Sequence, residues 1–244
     1  DFGGHLCSYL LPAKEGGLMT EIRPIAYMHS DFAGKFGIPR QSGLVASLRA
    51  TVVFEPEFRN PDALRGLDGF SHLWLIWQFS KAVGSAWSPT VRPPRLGGNT
   101  RMGVFATRSP FRPNNLGLSC VTFQGIEKTE KYGTVLHVGG ADLLDGTPIF
   151  DIKPYIPYCD CHTDALGGFT QTAGDFLLKV EDPEHRLEML PEEKREAAAG
   201  VLSHDPRPSY QNTPGRAYGI AFADFNIRFT VADGVLTIIG VEKS

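Results

Sequence analysis

FSHLWLIWQF, residues 70–79, decides the fold of this chain. The run is rich in aromatic and branched side chains and predicts a strand that is buried on both faces. Other apolar runs flank it, at residues 22–28, 44–54, 102–107, 118–123, 134–138 and 148–152. Gly (27 residues) and Pro (18) separate many of these runs and favour turns over long helices. Short segments bounded by turns predict a mainly β fold, a barrel or a compact sheet.

A change in composition after Tyr158 predicts a second unit. Residues 163–173 are rich in Gly, Thr and Asp and are typical of a linker. A helix is predicted over residues 191–202, because Pro and two Glu residues begin it and three consecutive Ala residues lie within it. Strands over residues 218–229 and 235–241 are joined by Ala-Asp-Gly, a hairpin signal. We therefore expect a barrel over residues 19–165 and a small α+β module over residues 166–244.

The start of the chain and its cysteines bear on the setting of the protein. Residues 1–18 lack the basic start and apolar run of a signal peptide, so we interpret them as an expression-tag leader. Three cysteines follow, Cys120, Cys159 and Cys161. An odd number without a secretion signal indicates a reducing, cytoplasmic location. Because Cys159 and Cys161 are spaced C-x-C and no second ligand pair is present, we expect no metal site.

The net charge and the absent motifs exclude several classes. A net charge of −3 gives no global basic field, so any contact with RNA requires a local basic patch. The longest apolar run falls short of a membrane span. The glycine fingerprint of Rossmann folds, the Walker loop, the G-x-S-x-G elbow and H-E-x-x-H are all absent from the sequence.

Three polar segments are candidates for chemistry. RSPFRPNNLGLS, residues 108–119, combines two prolines with turn-forming Asn and Gly, which predicts a rigid loop with two arginines at its rim. DLLDGTPIFDIKPY, residues 142–155, holds three carboxylates, and Asp151 and Lys153 share one face of a strand. KFGIPRQSGL, residues 35–44, is a proline-stiffened loop before a strand. Taken alone, the first two segments are also consistent with a surface turn and with a hairpin that has capping aspartates.

Taken in order, these blocks resemble the TsaA-like (YaeB-like) family. The resemblance rests on KFGIPRQSGL, GFSHLWLIWQF, RPPRLGGNTRMGVFATRSPFRPNNLGLS and DLLDGTPIFDIKPYIPY, and on a second signature that begins with DPRPSY at residue 205. The resemblance implies a tRNA methyltransferase acting on N6-threonylcarbamoyladenosine at position 37, next to the anticodon. It also implies a homodimer and a single-sheeted β-barrel that binds S-adenosyl-L-methionine near the subunit interface.

The resemblance also implies site residues. It places the cofactor at residues on three segments: Gln41, Ser42, Gly43 and Leu44; Arg108 and Leu118; and Ile149, Phe150, Asp151 and Ile152. It assigns Arg207 to the tRNA side. By their chemistry, Arg101, Arg112 and Tyr210 are further tRNA candidates, since Arg binds phosphate and Tyr stacks on bases. We expect DPRP to end the helix and to present Arg207 and Tyr210 outward.

The cofactor would carry the reactive methyl, so the protein is expected chiefly to align the reacting atoms. No catalytic residue is assigned from the sequence. Two alternatives remain open: a non-catalytic RNA-binding barrel that has kept the fold, and a methyltransferase of a small metabolite.

Overall fold

The computed structural model describes residues 21–84, 86–93, 96–97, 99–171, 177–207, 213 and 215–244. The predicted leader (residues 1–18) and Tyr210 lie outside the described residues. The predicted mainly β architecture is confirmed, with a closed barrel followed by a smaller four-stranded sheet and its helix. None of the described helices has the length and apolar character needed to cross a membrane.

Six strands form the barrel in the order β1-β2-β7-β6-β3-β8, and each neighbouring pair is antiparallel. The elements up to residue 160 are β1 (Ala26–His29), β2 (Arg49–Phe54), β3 (His72–Gln78), β4 (Thr90–Val91), β5 (Met102–Gly103), β6 (Leu116–Thr129), β7 (Gly133–Gly139), β8 (Pro148–Pro154) and the one-turn helix α1 (Pro157–Asp160). The short strands β4 and β5 pair with each other outside the barrel.

The central strand β3 differs from its prediction in one respect. Leu73, Leu75 and Trp77 are buried in the barrel, but Trp74 and Ile76 on the opposite face are only half-buried. A closed antiparallel barrel has one filled inner face, so strand residues alternate between core and outer surface. The prediction that β3 is buried on both faces is therefore wrong, although the prediction of a strand is right.

The C-terminal module has its own sheet and core. Its elements are β9 (Lys179–Glu181), α2 (Glu192–Ser203), β10 (Tyr218–Phe222), β11 (Phe225–Ala232) and β12 (Val235–Lys243), in the sheet order β10-β11-β12-β9. The predicted helix and the hairpin at residues 232–234 are confirmed. The predicted strand 218–229 is instead two strands, because Ala223 and Asp224 have positive φ angles of 48° and 63° and form a turn.

The core of this module is not built from its own residues alone. Phe32, Val45 and Leu48, which lie between β1 and β2, are buried in the same hydrophobic cluster as Leu202 and Phe222. The segment between β1 and β2 therefore connects two strands of the barrel, but its apolar side chains pack into the core of the C-terminal module.

Candidate functional site

Three loops converge at one end of the barrel, where β2, β6 and β8 begin and β7 ends. We call them the first loop (residues 35–48), the second loop (residues 107–115) and the third loop (residues 140–147). The backbone N–H of Gly43 donates to the carbonyl of Gly140 at 2.8 Å, which joins the first and third loops. The Arg108 guanidinium donates to Gln41 Oε1, which joins the first and second. Segments about 100 residues apart in the sequence thus form one site.

The second loop is rigid for reasons visible in its sequence. Asn115 has a φ of 49°, which Asn tolerates better than most residues, and its amide donates to the carbonyl of Pro110 at 2.7 Å. Arg112 donates from Nη1 to the carbonyls of Thr107 at 2.9 Å and Ser109 at 3.4 Å. These bonds close the loop on itself and leave Arg108 exposed at its rim.

A chain of hydrogen bonds runs from the barrel core to the third loop. The indole N–H of Trp77 donates to Ser119 Oγ at 3.0 Å, and this hydroxyl donates to Asp142 Oδ1 at 2.6 Å. Gly117 makes the arrangement possible, since a Cβ there would lie 2.4 Å from Trp77 Cε2. A side chain at residue 117 would therefore displace the indole that orients Ser119.

The carboxylate of Asp142 is the most perturbed group of the site. Burial raises its pKa above the usual value. The bond from Ser119, a backbone bond from Ser42 and the charge of Arg108 act in the opposite direction and favour the ionised form. Asp142 is therefore a desolvated carboxylate beside an exposed guanidinium, which is an environment typical of functional sites.

The strand residues proposed for the cofactor separate into two groups. Leu118 is 55% exposed on the outer face, in the same row across the sheet as Ile76 and Asp151. Asp151 there pairs with Lys153 at 3.0 Å, so the prediction that these two share a face is confirmed. Ile149 points into the barrel core and is fully buried, whereas Phe150 and Ile152 are half-buried. The Ile149 side chain is thus out of reach of a ligand in the loop site.

Comparison with known proteins identifies the family. Residues 27–161 match the model of the tRNA-methyltransferase O N-terminal domain, and residues 169–244 match the TrmO C-terminal domain. The chain belongs to the tRNA-methyltransferase O family. Both halves of the chain therefore have counterparts in this family.

Relatives of the tRNA-methyltransferase O family match nearly the whole chain. The tRNA (adenine(37)-N6)-methyltransferase of Escherichia coli is 40% identical over 230 residues, which are 91% of this chain and 97% of the relative. The protein of the same name from Eikenella corrodens is 47% identical over 172 residues, 70% of this chain and 97% of its own length. A crystal structure of TrmO from Pseudomonas aeruginosa superimposes with a TM-score of 0.76 at 33% identity and covers 95% of this chain and all of that one.

The arginines predicted to bind tRNA occupy different environments. Arg101 is exposed and donates to the Thr90 hydroxyl at 2.8 Å, which links β5 to β4. Arg112 donates from Nη1 to two carbonyls of its own loop. The prediction that Arg207 points outward is wrong: its side chain is only 10% exposed, and its guanidinium pairs with both oxygens of Asp205 at 2.8 and 2.9 Å. Asp205, two residues earlier in the chain, thus forms an ion pair with Arg207.

Sequence reasoning did not select the chain of Trp77, Ser119 and Asp142. It identified Asp142 as one of three carboxylates in its segment but could not rank them. The structure distinguishes them by their partners, because Asp145 accepts from the Ser30 backbone at 3.0 Å and Asp151 pairs with Lys153. Of the three, Asp142 is the one whose carboxylate accepts from the Ser119 hydroxyl. Among the residues that the structure describes, no cluster of three potential metal ligands occurs.

Proposed function

We propose that this chain uses S-adenosyl-L-methionine to methylate N6 of the adenosine at position 37 of tRNA, next to the anticodon. The observation that carries the proposal is the convergence of the three loops on Arg108 and Asp142, in a chain whose two halves both match tRNA-methyltransferase O. The resemblance of the signature blocks extends the proposal to adenosine that carries N6-threonylcarbamoyl as the substrate.

The residues of the loop site fit the chemistry of the cofactor. S-adenosyl-L-methionine supplies, when bound, a methyl group that its sulfonium makes electrophilic. The exposed guanidinium of Arg108 suits a carboxylate, and the half-buried carboxylate of Asp142 suits an ammonium group or a ribose hydroxyl. The first loop adds backbone groups as further candidates, at Gln41, Ser42, Gly43 and Leu44. We keep Leu118, Phe150, Asp151 and Ile152 as candidates on the adjoining strands and assign Ile149 to the core.

Alignment is the main task of the chain's own residues in this proposal. Arg108 is held by Gln41, and Asp142 is held by Ser119, so both charged groups are oriented before a ligand arrives. Preorganised groups accelerate a reaction by holding the reacting atoms in a productive geometry. The position of these groups, rather than acid–base chemistry by a named residue, is thus the proposed contribution of the protein.

We further propose a homodimer whose interface lies near the second loop. Four large apolar side chains within or near that loop in the sequence are exposed to solvent: Trp87 at 52%, Phe105 at 74%, Phe111 at 46% and Leu118 at 55%. An exposed apolar patch of this kind is typical of an interaction surface. Arg101 and Arg112 on the same side are the proposed tRNA contacts, together with Tyr210. The cytoplasm is the proposed location, in keeping with a tRNA substrate and with free Cys120, Cys159 and Cys161.

The decisive experiment is methylation of tRNA with and without the threonylcarbamoyl group, with radiolabelled S-adenosyl-L-methionine and nucleoside mass spectrometry. We expect label on N6 of the modified nucleoside at position 37 only. We also expect the tRNA-free protein to bind the cofactor in the micromolar range, about 8 kcal/mol. RNA binding without methyl transfer would support the non-catalytic barrel instead. Methyl transfer to small metabolites but not to tRNA would support the remaining alternative.

A further inference from the structure

We propose that the C-terminal module positions the first loop for cofactor binding, with His204 as a positioning residue and Gly200 as its packing counterpart. The inference rests on the proposed function, because it takes the first loop as part of the cofactor site. It predicts that altered contacts between the module and the barrel change the affinity for S-adenosyl-L-methionine. A module that only bound tRNA would leave that affinity unchanged.

Two hydrogen bonds hold adjacent residues of the first loop from opposite sides. On the barrel side, the N–H of Gly43 donates to the carbonyl of Gly140 at 2.8 Å. On the module side, the ring Nε2 of His204 lies 3.1 Å from the carbonyl oxygen of Leu44. Because a carbonyl only accepts, Nε2 must carry the hydrogen in this bond. His204 directly follows α2, so the end of that helix is tied to the residue after Gly43.

Packing ties the loop to the module at two more points. Val45 is 4% exposed and lies in the core of the C-terminal module. Gly200 of α2 is in direct contact with it, since a Cβ at residue 200 would lie 2.7 Å from Val45 Cγ1. At the start of the loop, a Cβ at Gly37 would lie 3.3 Å from the Cβ of Ile220 in β10. The loop is therefore anchored on the module at both ends.

The part of the loop between these anchors is the part that faces the cofactor site. Gln41 accepts a hydrogen bond from Arg108, and the Ser42 backbone lies close enough to Asp142 to affect its pKa. A shift of Leu44 or Val45 would move these two contacts, because consecutive Cα atoms are only about 3.8 Å apart and the loop is held on both sides of them. The module thus controls where Arg108 and Asp142 are held relative to each other.

The first test compares His204→Ala with His204→Gln in the full chain without tRNA. Loss of a partly buried hydrogen bond is expected to raise the Kd for S-adenosyl-L-methionine about three- to tenfold, and the Gln amide should restore most of the affinity because it supplies a donor. The KM for the cofactor should rise while kcat changes less. Amide hydrogen exchange of residues 41–45 in the ligand-free protein should quicken in the Ala variant, and this readout does not require a bound cofactor.

The second test uses Gly200→Ala and Val45→Ala, singly and together. Gly→Ala inside a helix ordinarily stabilises it, so a raised cofactor Kd without a lower Tm would point to displacement of the loop. Removing the Val45 methyls should relieve the contact, so the double variant should bind better than Gly200→Ala. Glu193→Ala on the exposed face of α2 is the matched control.

The outcomes separate the inference from the proposed function. A wild-type chain that does not bind S-adenosyl-L-methionine would contradict the proposed function itself. A wild-type chain that binds it, with His204→Ala and Gly200→Ala showing wild-type affinity and wild-type loop exchange, would overturn the positioning role alone. Equal impairment in His204→Gln and His204→Ala would also overturn the role of the hydrogen bond.

Discussion

Arg108 and Arg207 occupy similar stretches of sequence and have opposite fates in the structure. Each lies close to prolines, at Arg-Ser-Pro and Asp-Pro-Arg-Pro, but of the two only Arg207 has an acid within a few residues in the sequence. Arg108 is exposed at the rim of the loop site and is oriented by an uncharged partner, Gln41. Arg207 is almost buried, pairs with Asp205 and has its guanidinium 5.8 Å from the ring of Tyr218. Proline stiffens both segments, but the nearest acid decides whether the arginine can serve a ligand.

Of the variants that test this comparison, Arg108→Ala is expected to have the largest effect on cofactor binding and turnover. Loss of a charge-assisted contact costs roughly 1.5–3 kcal/mol, so cofactor affinity or kcat/KM should fall about 10- to 150-fold. The free energy of unfolding should stay within about 0.5 kcal/mol of the wild type, because Arg108 is exposed. Calorimetric titration, turnover and thermal unfolding measure the three quantities. Arg65→Ala is the matched control, since Arg65 is an exposed arginine paired with Asp62; unchanged turnover in Arg108→Ala would remove Arg108 from the site.

Arg207→Ala should show the reverse pattern. It leaves the partly buried carboxylate of Asp205 without its bidentate partner, so we expect a loss of about 1–3 kcal/mol in the free energy of unfolding. For a chain of this size the Tm should fall by about 2–4 °C for each kcal/mol. The double variant Asp205→Ala/Arg207→Ala should be little worse than Arg207→Ala alone, because the two residues form one unit. Full stability combined with lost tRNA binding would instead return Arg207 to the tRNA side.

The contrast between the two arginines also shows what sequence reasoning can reach. Most of the β-strands, the helix at residues 192–203 and the hairpin at residues 232–234 follow from local patterns, and the structure confirms them. The predicted strand 102–107 is an exception, since its strand part is only Met102–Gly103 and residues 104–106 form a 3-10 turn. The three loops were found because Gly, Pro and Asn mark them. Which carboxylate joins the site cannot be predicted from the sequence, because closure of the barrel brings the first and third loops together, as the bond from the Gly43 N–H to the Gly140 carbonyl shows. For Arg207, Asp205 is visible in the sequence, but the approach of the Tyr218 ring from β10 is not.

The smallest expected effects are those of the carboxylates Asp142 and Asp205 on the free energy of unfolding. Asp205 stabilises the fold through its pair with Arg207, so Asp205→Asn should lower the free energy of unfolding. Asp142 behaves in the opposite way, because burial holds its folded-state pKa above the ordinary value of 3.8. Between 3.8 and that raised pKa the folded chain binds more protons than the unfolded chain, so stability falls as pH rises through this window. Above this window, the cost of burying the ionised carboxylate lowers the free energy of unfolding by a constant amount.

Asp142→Asn removes the ionisable group, so its stability relative to the wild type should be higher at pH 7 than at pH 4. Urea unfolding at both pH values measures this difference, and Asp205→Asn provides the comparison of opposite sign at pH 7. Cofactor affinity of Asp142→Asn should fall at neutral pH even where its fold is more stable, as expected where a carboxylate is kept for function at a cost in stability. A variant that is equally destabilised at both pH values and binds the cofactor like the wild type would make Asp142 a structural partner of Ser119, and the two carboxylates would then differ only in their exposure.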